Sequence, residues 1–236
     1  MTIMHHPGDE TLAAFAAGTL DEAHAVVVAT HVGLCGRCQK AMRAFEQVGG
    51  ALLEAAAPTR MSPGALERAM SKLDIMSKLD ITSKLDNAPK LDSAALDRPL
   101  PPVMPVEQIK PAEDMLPPPL NLYPLGRWRR IGGGLQTRAV RVPSAADVRV
   151  FLLKGGPGTR LPQHRHTGTE WTCVVHGAYH DEHHRYGPGD FDEVDESIEH
   201  YQVVEDGPTC IAVVAMQGKI RLQGWLGRLL QPFVRI

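Results

Sequence analysis

The 236-residue chain has no apolar run that approaches the length of a bilayer span, and no basic stretch followed by an apolar one opens it. Both absences lead to the expectation of a soluble, cytoplasmic protein. Charge of one sign is missing too. The 25 Lys and Arg stand against 27 Asp and Glu, a formal net charge of −2. No global field therefore draws the chain to nucleic acid or an anionic membrane, and no Lys/Arg stripe marks a nucleic-acid module. The cysteines number four, two of them in one short motif, which argues against a disulfide framework. Histidine is what the chain has in quantity: eleven residues, gathered in two places.

The first gathering is His31-Val32-Gly33-Leu34-Cys35-Gly36-Arg37-Cys38, an H-x3-C-x2-C run. His31 and Cys35 are four apart and share one face of a helix or its end. Cys35 and Cys38 have the spacing at which two thiolates hold one tetrahedral ion, and a closed set of four such ligands is structural zinc. A redox C-x-x-C would follow a strand in a βαβ unit, and nothing around these cysteines reads that way. The fourth ligand is not in the run. His5 and His6, one helix upstream, are both available.

The surrounding pattern is helical. Asp9 to Ala17 puts Leu12, Phe15 and Ala16 on one face, and Gly18 ends it. Thr19-Leu20-Asp21-Glu22 fits a capping box, Thr19 bonding forward and Glu22 back. The helix that follows carries Val26, Val27 and Thr30 and delivers His31. A third begins near Cys35, with Cys38, Met42, Phe45, Val48 and Leu52 at helical period. Ser62-Pro63 reads as the cap and first turn of a fourth, carrying Leu66 and Met70. Such short helices are marginal alone, and zinc would supply the missing stability. Most of these apolar residues are expected to pack against one another; any left over would form a partner surface.

Residues 71–92 repeat a Ser-Lys-Leu-Asp unit every six residues, ending in Pro89-Lys90-Leu91-Asp92. The period is neither helical nor heptad, so an expanded linker is the simplest reading, a prolonged fourth helix the alternative. Proline is dense from Arg98 to Pro124, an extended spacer. Beyond it come short β-rich runs separated by Gly and Pro turns: 140–142, 148–153, 170–175, 191–194, 198–204 and 209–216. These suggest a sandwich or barrel.

The second gathering lies among these strands. Gly158 leads to His164, His166, Glu170 and Gly177 as G-x5-H-x-H-x3-E-x6-G. A strand points His164 and His166 to one face, and Glu170 adds an oxygen ligand after a turn. Two imidazoles and a carboxylate suit Zn, Fe, Mn or Ni. This run resembles the first cupin motif at the family's spacing. The second cupin motif is poorly kept, with Pro188-Gly189-Asp190 in place of P-x-G and no histidine two residues later. His200, inside an expected strand, is the best substitute as fourth ligand. His176, His180, His183 and His184 look like a strand end and exposed turn. Cys173 and Cys210 read as small buried hydrophobes and Trp171 as barrel core.

The two constellations in this order resemble the ChrR family of anti-sigma factors. The resemblance rests on His6, His31, Cys35 and Cys38 in front, on His164, His166, Glu170 and His200 behind, and on the openings Met1–His6 and Ala16–Leu20. It implies His6 rather than His5 as the zinc ligand. It implies a multi-domain α + β protein: a zinc-pinned helical anti-sigma domain (1–70), a repeat and Pro-rich linker (71–122) and an all-β cupin jelly roll (123–236) that holds zinc or another divalent metal. It further implies a non-enzyme whose helices sequester an extracytoplasmic-function sigma factor, released when the cupin domain responds to singlet oxygen or organic peroxide. The competing expectation, from the same His/His/Glu/His set, is a cupin metallo-dioxygenase or isomerase with a helical accessory domain.

Overall fold

The computed structural model describes residues 2–78, 116–143 and 147–222. The repeat beyond Lys78 and the proline-dense stretch up to residue 115 lie outside them. Two compact units are present, one formed by residues 1–49 with 103–236, the other by residues 50–102.

In the first unit, helix α1 spans Asp9–Ala16, α2 Glu22–Leu34 and the greater part of α3 (Gly36–Ala55). The α2 start corrects the capping-box expectation. Asp21 is the cap, its Oδ1 accepting the backbone N–H groups of Ala23 and His24 at 3.0 and 3.1 Å, whereas the Thr19 hydroxyl turns back to the Ala14 carbonyl. A carboxylate beside the free N–H groups also complements the helix dipole. The α2 sequence Ala25-Val26-Val27-Val28-Ala29 has no polar face, and the helix is buried nearly all round, from Ala23 to Leu34. A helix apolar on every side needs cover on every side. Leu12 of α1 and Met42 of α3 pack in one core with it, and strands of the β domain cover the rest.

The β domain is two antiparallel sheets. A six-stranded sheet runs β1 (Arg129–Gly132), β2 (Leu135–Val140), β3 (Val148–Gly155), β10 (Cys210–Gln217), β5 (Glu170–His176), β8 (Phe191–Val194). A five-stranded sheet runs β11 (Ile220–Leu222), β4 (Arg160–His166), β9 (Glu199–Val204), β6 (Tyr179–His180), β7 (Arg185–Tyr186). The strands β1, β6, β7 and β11, and most of β2, lie outside the β-rich runs read from the sequence.

Strand β5 is buried on both faces from Glu170 to Val175. Glu170, Thr172 and Val174 alternate with Trp171, Cys173 and Val175, and the second set shares the core of α2 with Val150, Leu152, Val213 and Ala215. Trp171 is therefore not barrel core. It lies on the outer face of the sheet, its ring edge-on to His24 of α2 at 4.4 Å.

In the second unit, α4 spans Ala65–Lys78. It starts two residues later than Ser62-Pro63 suggests, and it carries the chain through the first Ser-Lys-Leu-Asp copy, so the helical alternative holds up to Lys78.

The stripe on α3 departs from expectation. Cys38 and Met42 are buried and Phe45 partly so, but Val48 is 60% exposed, Leu52 69% and Leu53 78%. The apolar period outruns the core it was expected to fill. On α4, Leu66 and Met70 are exposed as well, at 64% and 50%.

Two candidate metal centres

The front centre is assembled from three pieces of chain. An extended segment ahead of α1 brings His6, the last turn of α2 brings His31, and the α2–α3 junction brings Cys35 and Cys38. Their ligand atoms all lie within 4.8 Å of one another. His31 Nε2 is 3.1 Å from Cys38 Sγ, and His6 Nδ1 is 3.4 and 3.5 Å from Cys35 Sγ and Cys38 Sγ. A tetrahedral zinc with ordinary Zn–N and Zn–S bonds has N···S edges of about 3.5 Å, so the cluster has the size of the ion. His5 points elsewhere, its ring against Tyr186 at 4.5 Å and His184 at 5.2 Å.

The donors are tuned for a cation. Burial holds the His31 imidazole down to about 4, so its lone pair is free at neutral pH. Nδ1 faces the Gly189 carbonyl at 2.6 Å. A carbonyl only accepts, so Nδ1 carries the proton and Nε2 is left for the ion. Burial first, then neighbouring Cys35, pushes the Cys38 thiol up to about 12. Only a positive ion makes two thiolates tenable there, and its binding releases their protons.

The rear centre sits between the sheets. β4 points His164 and His166 inward, and β9 places His200 directly opposite His164 in the ladder. The His200 Nε2 atom is 3.1 Å from His164 Nε2 and 3.2 Å from His166 Nε2. Three imidazole nitrogens on the edges of a tetrahedron around zinc stand about 3.3 Å apart. Burial, then the other two histidines, holds His166 down to about 3; burial, then His164, holds His200 at about 4. Glu170 Oε2 stands 3.6 Å from His166 Nε2, at the rim of the trio. Burial, then Asp192, raises this carboxyl to about 8, the opposite of what an adjacent cation would do. His180, His183 and His184 are exposed, as expected of a turn. Cys173 and Cys210 are buried, and burial raises both thiols, Cys210 to about 12.

These shifts fix a pH signature for metal-free protein. His31, His166 and His200 have folded pKa values below the ordinary 6.5, so the unfolded chain takes up protons first and stability falls as pH drops from about 6.5 toward 4. Glu170 has a raised folded value, so its contribution is complete below about 4.5 and is lost as pH rises to about 8. Among the imidazoles and carboxyls with the largest shifts, three imidazoles outweigh one carboxyl in the overlap. Chelated protein should show maximal thermal stability near pH 6.5, and added metal should abolish the alkaline decline by favouring ionised Glu170. A monotonic rise to pH 8 without metal would contradict this assignment of the buried carboxyl.

Comparison with known proteins bears on the whole chain. A family profile described as the ChrR cupin-like domain matches residues 126–219. The anti-sigma-E factor ChrR of Cereibacter sphaeroides is 36% identical over 242 aligned positions, covering all of both chains. The chain belongs to the ChrR family of anti-sigma factors. Within that family a solved structure is similar as well: the Rhodobacter sphaeroides SigE–ChrR complex, at 35% identity and a TM-score of 0.65, covering 92% of this chain and all of the other.

Three polar groups around the centres escape the sequence reading. Asp190 was visible only as an irregular cupin residue. His24 bonds Asp21 through Nδ1 at 2.5 Å and lies 3.5 Å from the Thr169 hydroxyl, joining α2 to the start of β5. Asp192, half-buried and with its carboxyl raised by desolvation, accepts hydrogen bonds from the Tyr179 and Tyr186 hydroxyls at 3.3 and 3.1 Å. Each becomes legible only when distant segments meet.

Proposed function

We propose that this protein is an anti-sigma factor that sequesters an extracytoplasmic-function sigma factor. The observation that carries the reading is full-length similarity to a ChrR protein whose relative is seen with SigE. The structure adds exposed apolar positions on two helices, each suited to the task by itself. Val48 and Leu52 are four apart on α3, Leu66 and Met70 four apart on α4, and all are exposed. An apolar helical stripe left exposed among the described residues is the usual element of helix-in-groove recognition. Among the described residues, no helix is long and apolar enough to cross a membrane.

The front centre is proposed to hold structural zinc through His6, His31, Cys35 and Cys38, with the helical domain ending near residue 70. The rear centre is proposed to hold zinc or another divalent ion through His164, His166 and His200, completed by Glu170, and to govern release on singlet oxygen or organic peroxide stress.

Co-expression with the sigma factor encoded beside this gene tests the reading. A stable complex that blocks core polymerase binding is expected; no complex from metal-loaded protein refutes it. Leu52→Asp or Leu66→Asp should weaken that complex by 30-fold or more, about 2 kcal/mol per buried anchor, with metal content unchanged. Wild-type affinity in both variants would place the docking surface elsewhere.

A further inference from the structure

The β domain reaches into the front centre through one turn. Gly187–Asp190 joins β7 to β8, and Asp190 is buried although it belongs to a turn. Its Oδ2 accepts the Gly187 N–H at 2.8 Å, closing the turn. Its Oδ1 faces outward and accepts two backbone N–H groups from the start of the chain, Met4 at 2.6 Å and His5 at 2.9 Å. Phe191 N–H completes the clamp by donating to the His5 carbonyl at 3.1 Å. The next residue is His6, whose Nδ1 meets both cysteine sulfurs.

The same turn touches a second ligand. Gly189 O accepts the His31 Nδ1 proton at 2.6 Å. Gly189 has φ +89, and a Cβ there would stand 2.5 Å from Ile3 Cδ1. The position needs glycine both for its backbone conformation and for the close approach of the N-terminal segment.

We propose that this turn is the outer shell of the front metal centre: Asp190 positions His6 by clamping the segment that carries it, and the Gly189 carbonyl sets the tautomer and aim of His31. Two of the four ligands are thereby held by the β domain rather than by the helices. The turn continues into β8, whose Val194 pairs with Glu170 of β5 at the rim of the rear centre. A displacement at the rear centre has a short covalent and ladder path to the front ligands. In this protein the turn at the irregular second cupin motif, which carries no histidine of its own, grips the other site instead.

This inference rests on the reading of the front cluster as a metal site, and the test separates the two. Full-length protein is loaded with cobalt, whose thiolate charge-transfer band reports only the front centre, because the rear trio holds no sulfur. Release to a chelator is timed by loss of that band in wild type, Asp190→Ala, His6→Ala and the double variant. Asp190→Ala should release front cobalt about 10-fold faster, the low end for loss of an outer-shell partner. In the His6→Ala background it should add little, since the segment it clamps no longer bears a ligand. Wild-type release from Asp190→Ala overturns the proposal. So does an equal acceleration in both backgrounds, which would mark Asp190 as general support for the barrel. Absence of any thiolate band in wild type would instead remove the metal reading itself.

Discussion

Full-length protein carrying Cys35→Ser or Cys38→Ser is expected to lose the front metal and, with it, inhibition of the sigma factor, so that sigma-dependent transcription runs at its unrepressed level. Three of the four ligands, His31, Cys35 and Cys38, are buried. A neutral hydroxyl does not replace a thiolate toward zinc. Structural zinc in small peptide domains contributes an apparent ~10–16 kcal/mol, as large as the whole stability of an ordinary domain. The helical front has little else. Leu12 and Met42 are the buried hydrophobic anchors of α1 and α3, and the far end of α3 leaves the core altogether. Helix α2 keeps its cover from the β domain, so the loss should be local: α1, the segment ahead of it and α3 come free while the barrel persists. Metal analysis together with a sigma-dependent reporter checks this. Normal repression by a serine variant that has lost its front metal would show that the ion does not organise the sigma-binding surface.

His164→Ala combined with His166→Ala is expected to do the reverse: repression stays intact and the response to singlet oxygen or organic peroxide is lost. The substitution removes two of the three converging imidazoles and leaves His200 without the partners at 3.1 and 3.2 Å. Both histidines lie on β4, in the five-stranded sheet, whereas α2 packs on β3, β5 and β10 of the other sheet. The front cluster, His6 included, should therefore keep its geometry. The measurement is the same reporter with and without stress, with metal counted at each centre. Constitutive transcription in this double variant would mean that the rear ion is needed to hold the front together, and that the turn at Gly189–Asp190 transmits structure rather than signal.

The success and failure of the sequence reading follow the range of the interactions involved. H-x3-C-x2-C lies within two helical turns, and His164 with His166 on one strand, so local geometry alone brings those ligands together. His200 was legible because it lies inside an expected strand just after the irregular second motif, which has no histidine of its own. The cap of α2 was misplaced because Thr19 and Asp21 both offer suitable oxygens and only the backbone path selects between them. Trp171 was assigned to the wrong side of its sheet because a strand buried on both faces shows no alternation. The α3 stripe was over-assigned to the core because period reveals which side of a helix is apolar, not how far along it a neighbour extends.

By itself, the amino-acid order marked His31 with Cys35 and Cys38, His164 with His166, the helical front, the β-rich rear and the family, since each is written in short spacings that need no partner. Only the tertiary structure decided that α2 is covered by the β domain, and that Asp190 and Gly189 reach the front cluster and the segment carrying His6 from 158 or more residues away. The physical reason is that a backbone N–H, a carbonyl or a turn glycine has no side-chain signature. What such groups do depends on which distant segment the fold sets against them.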